Sequence, residues 1–303
     1  MGTRRVEPVP CHQNGPSKGM VCHQNGLSKG MVCHQNGPSK GMVCPIRLAV
    51  VDVDGCLTPG ETGAWNWEAI QAICDFNRRA RQGEPVPAVT LCTGRQQPYV
   101  EVLMQAIGAF YPGVYENGCG LYFPEGYRFA EHPSITPALR EALAAARETL
   151  VHRVVARGLG YFQPGKETSL TLYPRAGTEV GRLRERVLEA LSGHDVADLV
   201  TVQASASCVD VTPAGIDKGA GVRWLSAEVG VPLGAMGGIG DSASDLTFLR
   251  LVGRSAAPAN GNTEIQASVG YVSPHEDGAG VVDILRHWCS QPIEQPSCKG
   301  PGR

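Results

Sequence analysis

Charge bias and long apolar runs are what this chain lacks. Its 27 Lys and Arg stand against 29 Asp and Glu, a formal net charge of −2. The basic residues are scattered, with no stripe to follow a nucleic-acid backbone, so no nucleic-acid partner is expected. No stretch approaches the about 18–20 apolar residues that span a bilayer, and the amino terminus has no apolar centre of a secretory signal. No membrane partner is expected, and the cytoplasm is the expected compartment. The eleven cysteines are odd in number, and Cys56, Cys74 and Cys92 fall in segments that read as core or site. In a reducing compartment they are expected to be free thiols.

What is present suffices for a globular protein: 303 residues, 42% hydrophobic and 18% charged, enough for one substantial core or two modest ones. The amino-terminal segment stands apart. Residues 11–21, 22–32 and 33–43 read CHQNGPSKGMV, CHQNGLSKGMV and CHQNGPSKGMV, with neither helical nor strand periodicity and little to offset the entropy of ordering. Residues 1–44 are therefore expected to be a disordered extension. Each repeat brings adjacent Cys and His, yet an eleven-residue spacing matches none of the short spacings of structural zinc sites. A tandem duplication outside the reading frame is another account, since Met42 offers its own start, MVCPIRLAVVDVDG.

From Ile46 the pattern alternates. An apolar strand at 46–53 leads through a Gly/Pro turn to a helix at 66–82, a strand at 87–95, a helix at 96–109 and a short strand at 113–116. The alternation resumes with a helix at 217–229 and the strand AMGGIGDS. Between them the texture changes: helices at 136–156 and 178–192 and the strand-like runs SLTLYP, VTVQAS and CVDVTP read as a small α+β unit inserted into the sheet. The expected fold is α/β, a Rossmann-like, doubly wound, mostly parallel sheet with an inserted cap. The expected division is a core of 45–118 and 210–290, a cap of 119–209 and a flexible tail of 291–303. Open sheets of this kind bind ligands beyond the carboxyl ends of their strands. Asp52, Asp54, Thr93, Asp241 and Asp245 all fall there in this reading.

A lone Asp after a strand is usually a turn former or a cap. Here four segments recur in order, each ending an apolar run or opening a helix: DVDGCLT at 52–58, LCTGR at 91–95, DKG at 217–219 and GDSASD at 240–245. In these four motifs the sequence resembles the haloacid dehalogenase superfamily of phosphatases, over nearly all of 46–286. The resemblance implies Asp52 as a nucleophile that becomes an aspartyl phosphate, with Mg²⁺ held by Asp52, the Asp54 carbonyl and Asp241. Asp54 would protonate the leaving group and then deprotonate water. Thr93 and the Gly94 N–H would bind phosphoryl oxygens, Lys218 would neutralise phosphate and nucleophile, and Asp245 would orient a metal-bound water or Lys218. Cys56 stands where the family usually has Thr, and Ser244 where it often has Asn.

The YENGCGLY, GIDKGAGVRWL and SPHEDGAGVVDIL segments look like the branch whose cap lies between the second and third motifs. The short cap resembles the phosphoglycolate and sucrose-phosphate phosphatases most. A small phosphorylated metabolite is then the expected partner, and the chain a monomer or homodimer. In the cap, Lys166 and Ser169 of GKETSLTLYP are candidates for reading the rest of the substrate; the alternative makes Lys166 a solvated edge lysine. A phosphomutase would use the same nucleophile. A non-catalytic binding protein is expected to lose at least one of Asp52, Asp54, Lys218 or Asp241, and all four are present.

Overall fold

The computed structural model describes residues 46–193 and 195–291. The repeats at 11–43, and the tail from 292 onward, lie outside the described residues.

The chain opens with β1 (Leu48–Val51), α1 (Trp67–Arg81), β2 (Ala88–Leu91), α2 (Gln97–Ala106) and β3 (Gly113–Tyr115). A hairpin of β4 (Gly120–Phe123) and β5 (Arg128–Glu131) follows. Next come α3 (Pro137–Leu150), which runs on into a single π turn over Val151–Val155, then β6 (Gly160–Phe162), β7 (Leu170–Pro174), α4 (Val180–Leu191), β8 (Val200–Ala204) and β9 (Val209–Pro213). The chain closes with α5 (Lys218–Val229), β10 (Met236–Ile239), α6 (Leu246–Leu249), β11 (Arg254–Ala257), α7 (Thr263–Ser268), β12 (Tyr271–Val272) and α8 (Asp277–Ser290).

The central sheet is parallel throughout, in the order β12-β11-β10-β1-β2. A parallel bridge between Cys92 and Val114 leads on toward β3. Strand β1 is buried on both faces, as continuous apolar runs in parallel sheets are. Ala49 and Val51 join a core with α1, α2 and α8, including Ile73, Leu103 and Trp288. Leu48 and Val50 join a second core with α5 and α6, including Val222, Leu225 and Phe248. Each large apolar side chain so buried contributes about 1.5–3 kcal/mol, and β1 is an interior strand, paired with β10 on one side and β2 on the other. Helices on both faces make the sheet doubly wound, as the alternating sequence pattern implied.

The chain leaves β1 toward β2 and later returns to β10 on its other side. The crevice at the carboxyl ends of β1 and β10 is therefore the topological switch point, where a ligand finds space between diverging loops.

The insert is an antiparallel sheet, β6-β7-β9-β8, backed by α3 and α4. Its strands alternate as a half-buried antiparallel sheet must: Leu170, Leu172, Val209 and Val211 enter the insert's own core. Thr171, Tyr173, Cys208 and Asp210 line a cavity against the parallel sheet's loops. The insert's apolar cluster spans Ala142 to Val211, whereas β4 and β5 pair with β3 in a sheet of their own. A boundary at 119 thus falls beside the β3–β4 pairing, and one at 209 cuts into β9. The hairpin carries few core-forming positions of its own, which is why its sequence did not separate it from the cap.

Among the described residues no helix is long and apolar enough to cross a membrane. Cys56, Cys74 and Cys92 are free thiols.

Candidate active site

Strand β1 stops at Val51, so the two-residue spacing of Asp52 and Asp54 is set by a turn and not by a continuing strand. The Asp52 N–H donates to the Ile239 carbonyl at 2.9 Å, tying the residue to the end of β10. The Gly55 N–H then donates to Thr58 O (2.7 Å), and Thr58 N–H donates back to Val53 O (2.9 Å). Gly55 has φ +85°, and a Cβ there would collide with the Asp241 carboxylate. Glycine is required on both counts.

Lys218 is the first residue of α5. Asp217 caps that helix by accepting from the Ala220 N–H at 2.7 Å, which frees the lysine to leave the helix end toward the switch point. Its Nζ lies 2.9 Å from Asp52 Oδ1 and 2.6 Å from Asp245 Oδ1, with 5% of the side chain exposed. Burial alone would push this ammonium down; Asp245 and Asp52 outweigh it and hold it well above the ordinary lysine value.

Asp245 has its other oxygen filled. Oδ2 accepts the N–H groups of Asp241 (3.1 Å) and Ser242 (3.0 Å) and the Ser242 hydroxyl (3.1 Å). This capping turn is the reason for the four-residue spacing in GDSASD. Of the two roles suggested for Asp245, orienting Lys218 is the one with a contact in the structure.

Asp52, Asp241 and Asp245 bring carboxylate oxygens within 4.8 Å of one another. Three carboxylates against one ammonium leave two negative charges uncompensated when all are ionised. Burial, with Asp245 adding repulsion, pushes the Asp52 carboxyl well up, and burial and Asp245 push Asp241 up to about 7. An all-oxygen site with an excess of two negative charges fits a hard divalent cation. Cys56 sits beside it, its Sγ 3.9 Å from Asp241 Oδ1. Burial, then Asp241, pushes that thiol well up, so it stands as a neutral, weak donor.

The Asp54 side chain is not in that cluster. Arg95 grips it with two bonds of 2.7 Å, Nε to Oδ2 and Nη2 to Oδ1. Arg95 also stacks over Tyr99, 4.8 Å from the ring centroid. Hydrogen bonding to Asp54 raises the guanidinium further above its usual range. LCTGR contains Arg95, but nothing in the spacing signals its partner across 41 residues.

Asp52, Asp54, Thr93, Gly94, Lys218 and Asp241 line one cavity of about 450 Å³. Lys166 reaches the same cavity from the cap, 3.4 Å from Asp210 Oδ1, with 3% of its side chain exposed. That burial is not that of a solvated edge lysine. Ser169 does not reach the cavity. It is fully buried, and its hydroxyl donates to Glu116 Oε2 at 3.0 Å. Ser169 lies in the bend before β7, outside the strand, and there its hydroxyl is taken up by Glu116. Across the cavity mouth, the Tyr173 and Ser207 hydroxyls of the cap both donate to Glu61 Oε1 of the core, at 2.6 and 2.8 Å.

The profile of the haloacid dehalogenase-like hydrolases matches residues 181–285. A phosphoglycolate phosphatase of Pyrobaculum aerophilum is 30% identical over 205 residues, 67% of this chain and 78% of that one. The chain belongs to the haloacid dehalogenase-like hydrolases. It is an enzyme, with a phosphatase's place in that family. The phosphoglycolate phosphatase of Methanobrevibacter smithii is 24% identical over 238 residues, 78% of this chain and 95% of the relative. Among solved structures, the sucrose-phosphatase from Synechocystis in complex with sucrose and phosphate shares the fold, with a TM-score of 0.59 at 16% identity. The match covers 80% of this chain and 97% of that one. A haloacid dehalogenase-like hydrolase from Bacteroides thetaiotaomicron shares it at a TM-score of 0.62 and 14% identity, over 80% of this chain and 99% of that one.

Proposed function

We propose that this haloacid dehalogenase-like hydrolase cleaves a small phosphomonoester through an aspartyl phosphate on Asp52. Mg²⁺ is its cofactor, and a phosphoglycolate-like or sugar phosphate its substrate. The observation that carries the reading is one buried lysine held between two buried aspartates at the switch point, beneath a cap that turns polar residues toward it. The relatives named phosphoglycolate phosphatase support the substrate class.

A phosphomonoester dianion repels a carboxylate, so attack by Asp52 on phosphorus needs positive charge at hand. Lys218 commits two of its three donors to Asp52 and Asp245, which leaves one for a phosphoryl oxygen. The Thr93 hydroxyl and the Gly94 N–H would take the others. As the bond to the leaving group breaks, Asp54, one of whose oxygens has been released by Arg95 and has taken a proton from solvent, protonates the departing alkoxide. It then takes a proton from the water that attacks the phosphorus, releasing phosphate and regenerating Asp52. Both oxygens of Asp54 are engaged by Arg95, so one of those bonds must open before the proton moves. Arg95 thereby sets when Asp54 is available.

Asp52, Asp241 and the Asp54 carbonyl would hold Mg²⁺, with Asp245 supporting Lys218 behind them. When bound, the cation would neutralise phosphate and nucleophile together. Lys166, with donors on Asp210 and Thr171, keeps one donor for a carboxylate or hydroxyl of the substrate.

The test is phosphate release by the purified protein from 2-phosphoglycolate and hexose phosphates, with Mg²⁺ and with EDTA. Release only with the metal supports the reading. No release from any of them, or release indifferent to EDTA, overturns it. A requirement for a bisphosphate activator would favour the phosphomutase alternative.

A further inference from the structure

One turn is bonded to the phosphate loop and to the cap and packs against the residue before Lys218, yet contributes no atom to the chemistry described above. Glu116, Asn117 and Gly118 follow β3 with φ of +48°, +56° and +100°. Two consecutive residues with side chains in the left-handed region are strained, and such strain persists only where the surroundings over-determine it.

The surroundings here are three separate elements. Glu116 N–H donates to Arg95 O and Asn117 N–H to Thr93 O, both at 3.0 Å, so the turn is bonded to the loop that would cradle the phosphate. Asn117 Nδ2 donates to Asp210 Oδ2 of the cap at 3.1 Å, and a Cβ on Gly94 would lie only 2.9 Å from Asn117 Oδ1. Gly118 lies so close to the Asp217 carbonyl, one residue before Lys218, that any side chain would collide with it.

The Glu116 carboxylate is the strongest of these ties. It is buried and reaches across 51–53 residues of sequence to accept four bonds from the cap. Oε1 takes the Glu167 N–H at 3.1 Å; Oε2 takes the Thr168 N–H (2.9 Å), the Thr168 hydroxyl (3.0 Å) and the Ser169 hydroxyl (3.0 Å). No cation among the described residues forms an ion pair with it. Its charge is balanced by oriented donors, which are worth more to an ionised acceptor than to a neutral one. The segment it holds begins one residue after Lys166.

We infer that Glu116 is a positioning residue for substrate selection: by holding residues 167–169 it sets where Lys166 stands over the phosphate loop. Asn117 fixes Asp210, the partner of Lys166, from the same turn. The inference rests on the proposed reading that Lys166 contacts the part of the substrate beyond the phosphate. A glutamine at 116 keeps the shape but puts an amide, itself a donor, where one carboxylate oxygen accepted, and at least one bond is lost whichever way it faces.

The experiment uses the full chain and two substrates, 2-phosphoglycolate and an aryl phosphate with no second anionic group. Glu116→Gln should lower kcat/KM for 2-phosphoglycolate by about tenfold or more, chiefly through KM, and leave the aryl phosphate within about threefold. Ser169→Ala should raise KM in the wild-type background and add nothing in Glu116→Ala, which removes the carboxylate through which its hydroxyl acts. Equal losses on both substrates, or additive effects of the two substitutions, would overturn the inference. Amide hydrogen exchange gives a readout independent of turnover: Glu167 or Thr168, whichever faces the new amide, should lose at least about tenfold protection in Glu116→Gln. Unchanged exchange there overturns the inference whatever the activity, whereas loss of protection in an enzyme that hydrolyses neither substrate faults the proposed function alone.

Discussion

Replacing Lys218 by methionine tests the electrostatic account of the site through stability as well as activity. The substitution nearly preserves volume but removes the ammonium that lies 2.9 Å from Asp52 and 2.6 Å from Asp245. Three clustered carboxylates then face one another with no cation. Breaking a buried pair by removing one partner costs about 3–5 kcal/mol. At about 2–4 °C per kcal/mol for a chain of this size, Tm should fall by roughly 6–20 °C near neutral pH. Protons and metal ions relieve the loss. Burial and Asp245 push the Asp241 carboxyl from its ordinary value of 3.8 up to about 7, and raise Asp52 for the same reasons. The folded state therefore binds more protons than the unfolded one between about pH 4 and 7, and stability falls as pH rises through that window. The variant's deficit should be smaller near pH 5 than near pH 8. A divalent cation at about a hundred times its Kd should return about 2.7 kcal/mol at the higher pH. Thermal unfolding followed by circular dichroism, for both proteins at each pH with and without Mg²⁺, reads all of this. A variant that melts with the wild type, or a deficit indifferent to pH and Mg²⁺, would refute the reasoning.

Two further outcomes follow from the same geometry. Asp54→Asn removes the proton carrier and one charge of the Arg95 pair while keeping the backbone carbonyl, so kcat should fall by about 10²–10⁴-fold with Mg²⁺ affinity little changed; calorimetric titration with Mg²⁺ and steady-state kinetics read the two separately, and wild-type kcat would remove Asp54 from the proton transfers. Lys166→Ala removes a nearly fully buried ammonium that pairs with Asp210, and should raise KM for 2-phosphoglycolate by about 10–100-fold, the worth of one charge-assisted bond; an unchanged KM would take Lys166 out of substrate contact.

The architecture was legible because its signals are local. Apolar runs ending in polar residues placed β1, β2 and β10, and helical periodicity placed α1, α5 and the two cap helices within a few residues of their observed ends. The gathering of Asp52, Thr93, Lys218 and Asp241 around one cavity follows from that topology, since loops at the carboxyl ends of neighbouring parallel strands share one edge of the sheet. What was not legible depends on pairing at long range. Arg95 is one residue of a turn until the fold sets it against Asp54. Glu116 looks like an ordinary polar residue after a strand until four donors from the cap converge on it. Ser169 and Lys166 are neighbours in one polar run, but the loop before β7 turns the serine to Glu116 and the lysine to Asp210 at the cavity. The β4–β5 hairpin is short and partly exposed, and its pairing with β3 left no periodic signature distinct from the cap.

The central claim is that Asp52 carries the phosphoryl group. Mass spectrometry of acid-quenched enzyme during turnover with Mg²⁺ and 2-phosphoglycolate, or whichever phosphomonoester is cleaved fastest, tests it directly. A peptide containing Asp52 should be heavier by one phosphoryl group in the wild type, should accumulate in Asp54→Asn if hydrolysis is the step slowed more, and should be absent in Asp52→Asn together with phosphate release. Phosphate release by Asp52→Asn at the wild-type rate, or a phosphoryl group on another residue, would contradict it.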